Sequence, residues 1–443
     1  MTDKAQTQGG FKMRNESTYF HRQFPLESFK QFIGPDILDR FSKQLGRRRR
    51  KRLLGLEGFL WLGLFVSMHT LCPNLREIFS MAATLNSHEL QLPLVSVSAF
   101  CQYRSFFPLK ILFGLWQFLI QRIRQSLASD QRLWHGLQVI AVDATHLCLP
   151  EALWPSFGAH TGSRGQGPVQ SHALVFYDVL ARIPVKIRMG RAHDDERPML
   201  LKLLRSVAKP NTILLIDSIF NTFQILAVIL GLKGHWMVPL RASFKPKLLK
   251  RFSNHDGLYQ IFNRRKLAGL PEAITLRIVT VQYPGFRPRR LVTSLLDPLE
   301  FTAEEIAHLY HERWRIETFF REFKYTLQVQ HWHAQSLHAF YTEMLFFMLL
   351  TCLTRLAMAE SGVPPALLSF QKSLVLMKRM LALAAFLPAS QWDRLYIEAL
   401  VQIRQYKIDS KKGRTFERDT QKRRKHSRMR KQQQLKEQLL HAT

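Results

Sequence analysis

The spacing of hydrophobic positions divides the 443-residue chain into three parts. Up to about residue 131 the pattern predicts helices, the most apolar at residues 53–71 and 111–123. From residue 137, short runs typical of β-strands alternate with helical segments. After residue 324, apolar stretches at 341–358 and 367–386 again predict helices. We therefore expect a central α/β region between two helical regions.

The central region predicts a sheet whose later strands are joined by helices. Its predicted strands are residues 137–142, 172–177, 185–189, 212–216 and 236–240, and its predicted helices are 197–207 and 221–230. The uninterrupted apolar run TILLI at 212–216 is typical of a strand buried on both faces. Residues 241–300 are basic and strand-like, and a turn at Pro284 and Gly285 favours a hairpin there. This order predicts a mixed α/β fold with a β-rich insertion.

The run YHERWRIETFFREFK, residues 310–324, combines charge and aromatic residues at regular offsets. Tyr310, Arg313, Glu317 and Lys324 would fall within roughly 60° of one another on an α-helix, while the apolar residues occupy a different arc. One stripe would then present a carboxylate and two cations. The alternative is a surface helix on which Glu317 and Arg321 form an ordinary i,i+4 pair.

This spacing resembles the signature of insertion-sequence transposases of the IS4 type, in the DDE superfamily. The preceding segment RLVTSLLD, residues 290–297, is similar to the family as well. The resemblance implies a ribonuclease H-like catalytic domain over residues 132–403 with a mostly β insertion at about 241–300. It also implies three catalytic carboxylates, of which Glu317 would be the last.

Asp143 and Asp217 each follow an apolar run that predicts a strand. Aspartate at a strand end is often only a turn former or a helix cap. In the family, however, the first aspartate precedes a small residue and a serine or threonine, and the second is followed three positions later by phenylalanine, as at Phe220. The resemblance therefore implies that Asp143, Asp217 and Glu317 form the catalytic and metal-binding triad. Ser218 and Ile219 depart from the arginine and glycine often found after the second aspartate.

Three converging carboxylates would raise one another's pKa unless divalent cations compensate their charge. Hard oxygen ligands favour Mg²⁺, with Mn²⁺ as a second possibility. The resemblance implies hydrolysis of a DNA strand at the transposon end, followed by attack of the freed 3′-hydroxyl on target DNA. Tyr310, Arg313 and Lys324 would hold DNA phosphates, and Arg321 would add a contact. Trp314 would either stack on an unpaired base or pack in the core. The same two alternatives apply to Trp236.

A formal net charge of +31 favours a polyanionic partner, either nucleic acid or an anionic membrane. The apolar run at residues 53–71 approaches spanning length but contains Glu57 and His69, so we expect a buried helix instead. Residues 1–28 carry no signal peptide, which predicts a cytoplasmic protein that does not bind a membrane. The resemblance implies a bacterial protein associated with the nucleoid. The four cysteines are scattered and predict reduced thiols.

The two ends of the chain predict further contacts with double-stranded DNA. Residues 1–131 are expected to form a helical DNA-binding region, in which the serine-capped segment 95–104 could be the second helix of a helix-turn-helix. Residues 404–443 form a basic tail that we expect to be disordered and to bind phosphate. Cleavage of paired transposon ends makes a homodimer the simplest expectation. Two alternatives remain: an inactive DNA-binding descendant of a transposase, and a membrane-surface protein.

Other acidic residues and histidines compete for the role of a site. Asp194 and Asp195 precede a predicted helix and are expected to cap it. The mixed surroundings of five histidines predict ordinary loop or strand residues; they are His160, His172, His193, His331 and His333.

Overall fold

In a computed structural model, the described residues are 26–45, 54–72, 74–85, 95–162, 165–241, 244–282, 288–329 and 331–408. The first described elements are six helices: α1 (Glu27–Ile33), α2 (Pro35–Leu45), α3 (Leu56–Met68), α4 (Leu75–Thr84), α5 (Val97–Phe106) and α6 (Leu109–Gln125). The predicted serine cap is confirmed for α5, because the Ser96 hydroxyl accepts a hydrogen bond from the Ala99 amide.

The central region forms a sheet with helices between its later strands. Its elements are β1 (Gln138–Cys148), α7 (Trp154–Phe157), β2 (Ala159–Gly162), β3 (Gly165–Asp178), β4 (Ile183–Arg191), α8 (Glu196–Val207), β5 (Thr212–Ile216), α9 (Phe223–Gly231) and β6 (His235–Pro239). β3 pairs antiparallel with both β1 and β4, whereas β5 runs parallel to β1 and β6 runs parallel to β5. The order β4-β3-β1-β5-β6 is that of a ribonuclease H-like fold, as the resemblance implied.

The β-rich insertion is confirmed and extends this sheet. It contains β7 (Lys247–Ser253), β8 (Asp256–Phe262), β9 (Ala273–Val281) and β10 (Arg289–Thr293). β10 pairs with both β6 and β9, so the predicted hairpin partners do meet, although their turn at Pro284 and Gly285 lies outside the described residues. Buried Arg277 pairs with Asp256 and donates to the Phe301 carbonyl, which ties the insertion to the segment that follows it.

Side chains of alternate residues divide the sheet into two packed faces. Val142 and Ile216 pack on one face with α8 and α9. Ala141 and Leu215 pack on the other face, in the same core as the N-terminal and C-terminal helices. The later helices are α10 (Ala303–His311), α11 (Arg315–Arg321), α12 (Leu337–Glu360), α13 (Phe370–Leu383) and α14 (Ala389–Gln405). The sheet is therefore covered on both sides, which is what apolar parallel strands require.

Helix α12 lies at the centre of the helical layer and contacts α3, α5, α6, α13 and α14. Gly63 in α3 permits one of these contacts, since a Cβ atom there would lie 2.0 Å from the ring of Phe346. The helices on both sides of the α/β region thus share one core.

The apolar helices are buried within the protein. Helix α3 has 13 residues and lies in the core, which confirms the buried helix expected at residues 53–71. Among the described residues, α12 alone is by itself long and apolar enough to cross a membrane, and its apolar window is completely buried in the fold. The pair α5 and α6 would also be long enough together, but it bends by 82°.

The basic tail begins later than the sequence predicted. Arg404 lies in α14, and its guanidinium Nε donates to the Ser361 carbonyl at 2.5 Å. The Ile408 amide also donates to the Leu367 carbonyl, at 2.8 Å. The boundary at 404 is therefore wrong, because residues 404–408 are fixed by contacts with the helical layer. The remainder, residues 409–443, lies outside the described residues.

Candidate active site

The sequence predicted that Asp143 lies just beyond the end of a strand. Asp143 lies instead within β1. β1 continues to Cys148 because its partner β3 extends alongside it, while the parallel partner β5 stops at Ile216 opposite Val142. Asp143 is therefore the first residue of β1 past the end of β5. Its side chain is 18% exposed and lies on the same face as Ala141, towards α11.

Asp217 follows β5 directly, as predicted, and precedes a 3₁₀ turn at Ser218–Phe220. The register between β1 and β5 places Asp217 level with Asp143 on the neighbouring strand. Side-chain alternation points both carboxylates to the same face of the sheet. The two predicted aspartates are thus brought together where β5 ends beside the middle of β1.

The signature segment is not the single α-helix that its spacing predicted. Tyr310 lies in α10, Arg313 in a 3₁₀ turn at Glu312–Trp314, Glu317 in α11, and Lys324 in a π-helical turn at Glu322–Thr326. A 3₁₀ turn winds more tightly than an α-helix and a π-helix more loosely, so the constant angle assumed from the sequence does not hold. Ile316, Phe319 and Phe320 form the buried side of α11.

Tyr310 is part of the core, a position that does not fit its predicted contact with DNA. The side chain is 3% exposed, and its hydroxyl donates to the Ile216 carbonyl at 3.2 Å. Burial raises the pKa of this hydroxyl. Tyr310 therefore fixes α10 to the last residue of β5, next to Asp217.

Arg313 faces the two aspartates and not the solvent. Its Nη1 lies 3.1 Å from Asp143 Oδ2, its Nη2 lies 3.8 Å from Asp217 Oδ1, and the residue is 5% exposed. The guanidinium also lies over the Trp314 ring, 5.2 Å from its centroid. In this arrangement Arg313 bridges carboxylates, so the expected phosphate contact does not fit. The spacing of the signature does not tell whether an arginine contacts carboxylates of the protein or phosphates of DNA.

The charges of Asp217 and Glu317 both act on the carboxylate of Asp143. Burial raises the pKa of Asp143 to about 6; Arg313 and the Ala144 amide oppose this shift, whereas Glu317 and Asp217 add to it. Among the residues that the structure describes, no group of three or more His, Cys, Asp or Glu side chains is arranged to hold a metal ion as it stands. The cluster thus concentrates negative charge that a single arginine offsets only in part.

The remaining residues of the signature are accessible beside this cluster. Glu317 is exposed on α11, and Trp314 is 49% exposed, so core packing of Trp314 is excluded. Lys324 is half-buried; burial lowers its pKa, while Cys148 and Glu317 oppose that shift. Arg321 is exposed, and its guanidinium donates a hydrogen bond to the Thr318 hydroxyl at 3.5 Å.

The competing residues have structural roles. Asp195 caps α8 by accepting from the Arg197 amide, and Asp194 accepts from the Arg191 amide. Trp236 is completely buried in the core, which excludes base stacking. His172 pairs with Glu196, and His333 pairs with Glu343 away from the carboxylate cluster.

Helix α5 presents its one arginine to the core. Arg104 is 5% exposed; its Nη2 donates to the His333 carbonyl at 3.3 Å, and Glu343 lies 3.7 Å from its Nη1. DNA reading by this helix stays a prediction, and it would have to use other residues.

Comparisons with known proteins show which proteins this chain is similar to. Residues 134–353, which contain all three carboxylates, match the family model described as "Transposase DDE domain". The chain is 24% identical over 333 residues to the transposase InsG for insertion sequence element IS4 of Escherichia coli (strain K12), covering 70% of this chain and 71% of that protein. A cryo-EM structure of the piggyBac transposase synaptic complex with hairpin DNA aligns with a TM-score of 0.41 and 11% identity, over 88% of this chain and 87% of the other.

The fold and the matched domain define a DDE transposase. Within that class, the chain belongs to the IS4-type family.

Proposed function

We propose that the chain catalyses cut-and-paste transposition: it cleaves a DNA strand at the transposon end and joins the freed 3′-hydroxyl to target DNA. The observation that supports this proposal is that Asp143 and Asp217 lie side by side where β5 ends, both contacted by Arg313, and that the charge of Glu317 acts on Asp143. Strand hydrolysis and strand transfer are both phosphoryl displacements, so one acidic site can serve water and the 3′-hydroxyl in turn.

The residues present fit divalent cations. Their donors are carboxylate oxygens, which Mg²⁺ and Mn²⁺ prefer. Burial raises the pKa of Asp143, and the charges of Glu317 and Asp217 add to that shift, so a bound cation would favour the ionised carboxylates. We assign Asp143, Asp217 and Glu317 as the ligands. Cations bound there would stabilise the attacking and leaving oxygens of the displacement. Arg313 and Tyr310 position the end of β5 and the adjoining part of β1, which carry the aspartates.

Three accessible side chains beside Glu317 would hold the DNA. Lys324 and Arg321 supply positive charge for phosphates, and the exposed Trp314 ring suits an unpaired base. Paired cleavage of two ends favours a homodimer, and the substrate places the protein with the nucleoid in the cytoplasm. The basic residues after 408 would add phosphate contacts that do not read sequence.

The decisive experiment incubates purified protein with duplex DNA bearing the inverted repeats that flank its coding region, with Mg²⁺, Mn²⁺ or EDTA. We expect nicking at the repeat ends only with a divalent cation. Glu317→Gln should lower the nicking rate by at least about a thousandfold, since loss of a ligand removes several kcal/mol of transition-state stabilisation.

Glu304→Gln is a matched control, because Glu304 is another exposed glutamate on the preceding helix α10. It should nick at the rate of the unmodified protein. Unchanged nicking by Glu317→Gln would remove Glu317 from the mechanism. Repeat-specific binding without nicking under any condition would support the inactive DNA-binding descendant instead.

A second experiment tests the tail by deleting residues 409–443. Affinity for DNA should fall, and the slope of log affinity against log salt should become shallower by about 0.9 for each duplex phosphate that the tail neutralises. An unchanged slope would show that the tail does not bind phosphate.

A further inference from the structure

A cleft of about 640 Å³ lies on the α8 and α9 side of the sheet, opposite the face of the carboxylates. Its walls come from the first residues of α8 and α9, from the segment after β6, and from the β8–β9 loop of the insertion. Strands β4, β5 and β6 all end at this edge. Asn221 in the wall follows Asp217 by only four residues. The cleft therefore adjoins the active-site edge without sharing its residues.

The cleft is strongly basic. Five cations line it: Arg197, Arg241, Lys245, Arg264 and Arg265. Asp195 is the one carboxylate in the lining, and it pairs with Arg197 at 2.5 Å. Within the described ranges, the other four cations form no ion pair with a carboxylate. Such unpaired charges in a concave wall favour an anionic ligand.

Phenylalanine rings line the same cleft. Phe262 is 43% exposed at the end of β8, and Phe223 and Phe244 are half-buried in the opposite walls. Exposed aromatic rings beside arginine and lysine are the combination that binds single-stranded nucleic acid, because phosphates meet the cations while base faces stack on the rings. In a duplex the base faces are covered by their neighbours, so a base reaches such a ring only from an unpaired strand.

We infer that this cleft binds an unpaired stretch of one DNA strand next to the active site. Arg264 and Arg265 contact its phosphates, and Phe262 stacks on one of its bases. The inference rests on the proposed function in taking DNA as the polyanion. Its position lets a strand that leaves the carboxylates pass around the end of β5 into the cleft.

The test uses the full chain in EDTA, so that no strand is cut, and a fluorescein-labelled oligothymidine of about 12 nucleotides. Anisotropy titrations at several salt concentrations give the affinity and its salt slope. Arg264→Ala/Arg265→Ala should make the slope shallower by about 1.4, which corresponds to two single-strand phosphate contacts. Phe262→Leu should weaken binding about tenfold, whereas Phe262→Trp should restore it, since the ring and not mere apolarity is needed.

The matched control is Lys247→Ala/Arg251→Ala, which removes two exposed cations of the same insertion outside the cleft. It should leave the affinity nearly unchanged. Crosslinking of a 4-thiothymidine oligonucleotide, followed by mass spectrometry, should label the 262–265 segment in the unmodified chain. Circular dichroism melting of each variant verifies folding.

Equal losses in the cleft and control variants, or no loss in the cleft variants, would overturn the inference, as would crosslinks confined to other segments. Preferential binding of duplex over oligothymidine by the cleft residues would also overturn it. Nicking at repeat ends by the unmodified chain is measured separately and does not depend on the binding results. If the cleft variants bind oligothymidine normally while the unmodified chain nicks repeat ends, only the cleft inference is refuted. If the cleft binds oligothymidine but the chain never nicks, the proposed function is refuted.

Discussion

The two halves of the signature segment behave in opposite ways. Tyr310 and Arg313 are 3% and 5% exposed and bond to the strand ends, while Glu317 is exposed and Lys324 is half-exposed. The first half thus builds the site and the second half is available to ligands. A sequence signature need not be a set of equivalent contacts: some of its residues hold others in place.

The largest expected contrast between the halves is in stability. Arg313→Ala should lower the free energy of unfolding by about 3 kcal/mol at pH 7.5, the low end for breaking a buried ion pair, because Asp217 is 39% exposed and well screened. Urea unfolding in EDTA measures this loss. It should be smaller near pH 5, where Asp143 takes up a proton and no longer needs a cation. An unfolding free energy unchanged by the substitution would show that the bridge contributes nothing.

The second prediction concerns the pH dependence of stability from Asp143. Its folded pKa of about 6 lies above the ordinary 3.8, so the folded state holds the proton more tightly than the unfolded state. Its contribution is fully present below pH 3.8 and is lost as pH rises through 6. At 1.36 kcal/mol per pH unit, the loss is at most about 3 kcal/mol.

The measurement is urea unfolding of the unmodified chain and of Asp143→Asn in EDTA from pH 4 to pH 7.5. The free energy of the unmodified chain should fall relative to that of the variant over this interval and level off above pH 7. Mg²⁺ should recover part of the loss, because cations compensate the ionised carboxylates. A difference that does not vary with pH would contradict the raised pKa.

A smaller effect is expected from Tyr310→Phe, which removes the hydrogen bond to the Ile216 carbonyl and keeps the packed ring. Stability should fall by about 1 kcal/mol, and nicking should fall modestly because α10 is less firmly held against β5. Chemical denaturation and nicking assays test both effects. If Tyr310 instead held DNA, binding of repeat ends would weaken while unfolding stayed the same.

The smallest effect on stability is expected from Glu317→Gln. Glu317 is exposed, and its charge raises the pKa of Asp143, so its removal should change the free energy of unfolding by less than about 0.5 kcal/mol, in the stabilising direction. Thermal melting and urea unfolding measure it. A destabilisation comparable to that of Arg313→Ala would erase the distinction between the two halves.

Much of the fold followed from local patterns in the sequence. The run at 212–216 specified a strand buried on both faces, and the strands after residue 241 specified the insertion, because side-chain alternation and continuous apolarity are properties of short segments. The choice of Asp143, Asp217 and Glu317 likewise came from residue types at family spacing. Their roles as ligands remain proposals.

Element ends were harder to predict, because partners distant in sequence set them. β1 passes beyond Asp143 since β3 continues beside it, and α14 includes Arg404 because Ser361 accepts its hydrogen bond. No local pattern around either residue contains this information.

The sequence by itself determined which residues carry charge and in what order, and hence the family and the candidate carboxylates. Only the tertiary structure decided what the cations do. Arg313 and Lys324 read alike on a helical wheel, yet a 3₁₀ turn aims one at Asp143 and a π-helical turn leaves the other half-exposed. The reason is that spacing fixes an angle only on a uniform helix, whereas the neighbouring strands fix where each turn can find a partner.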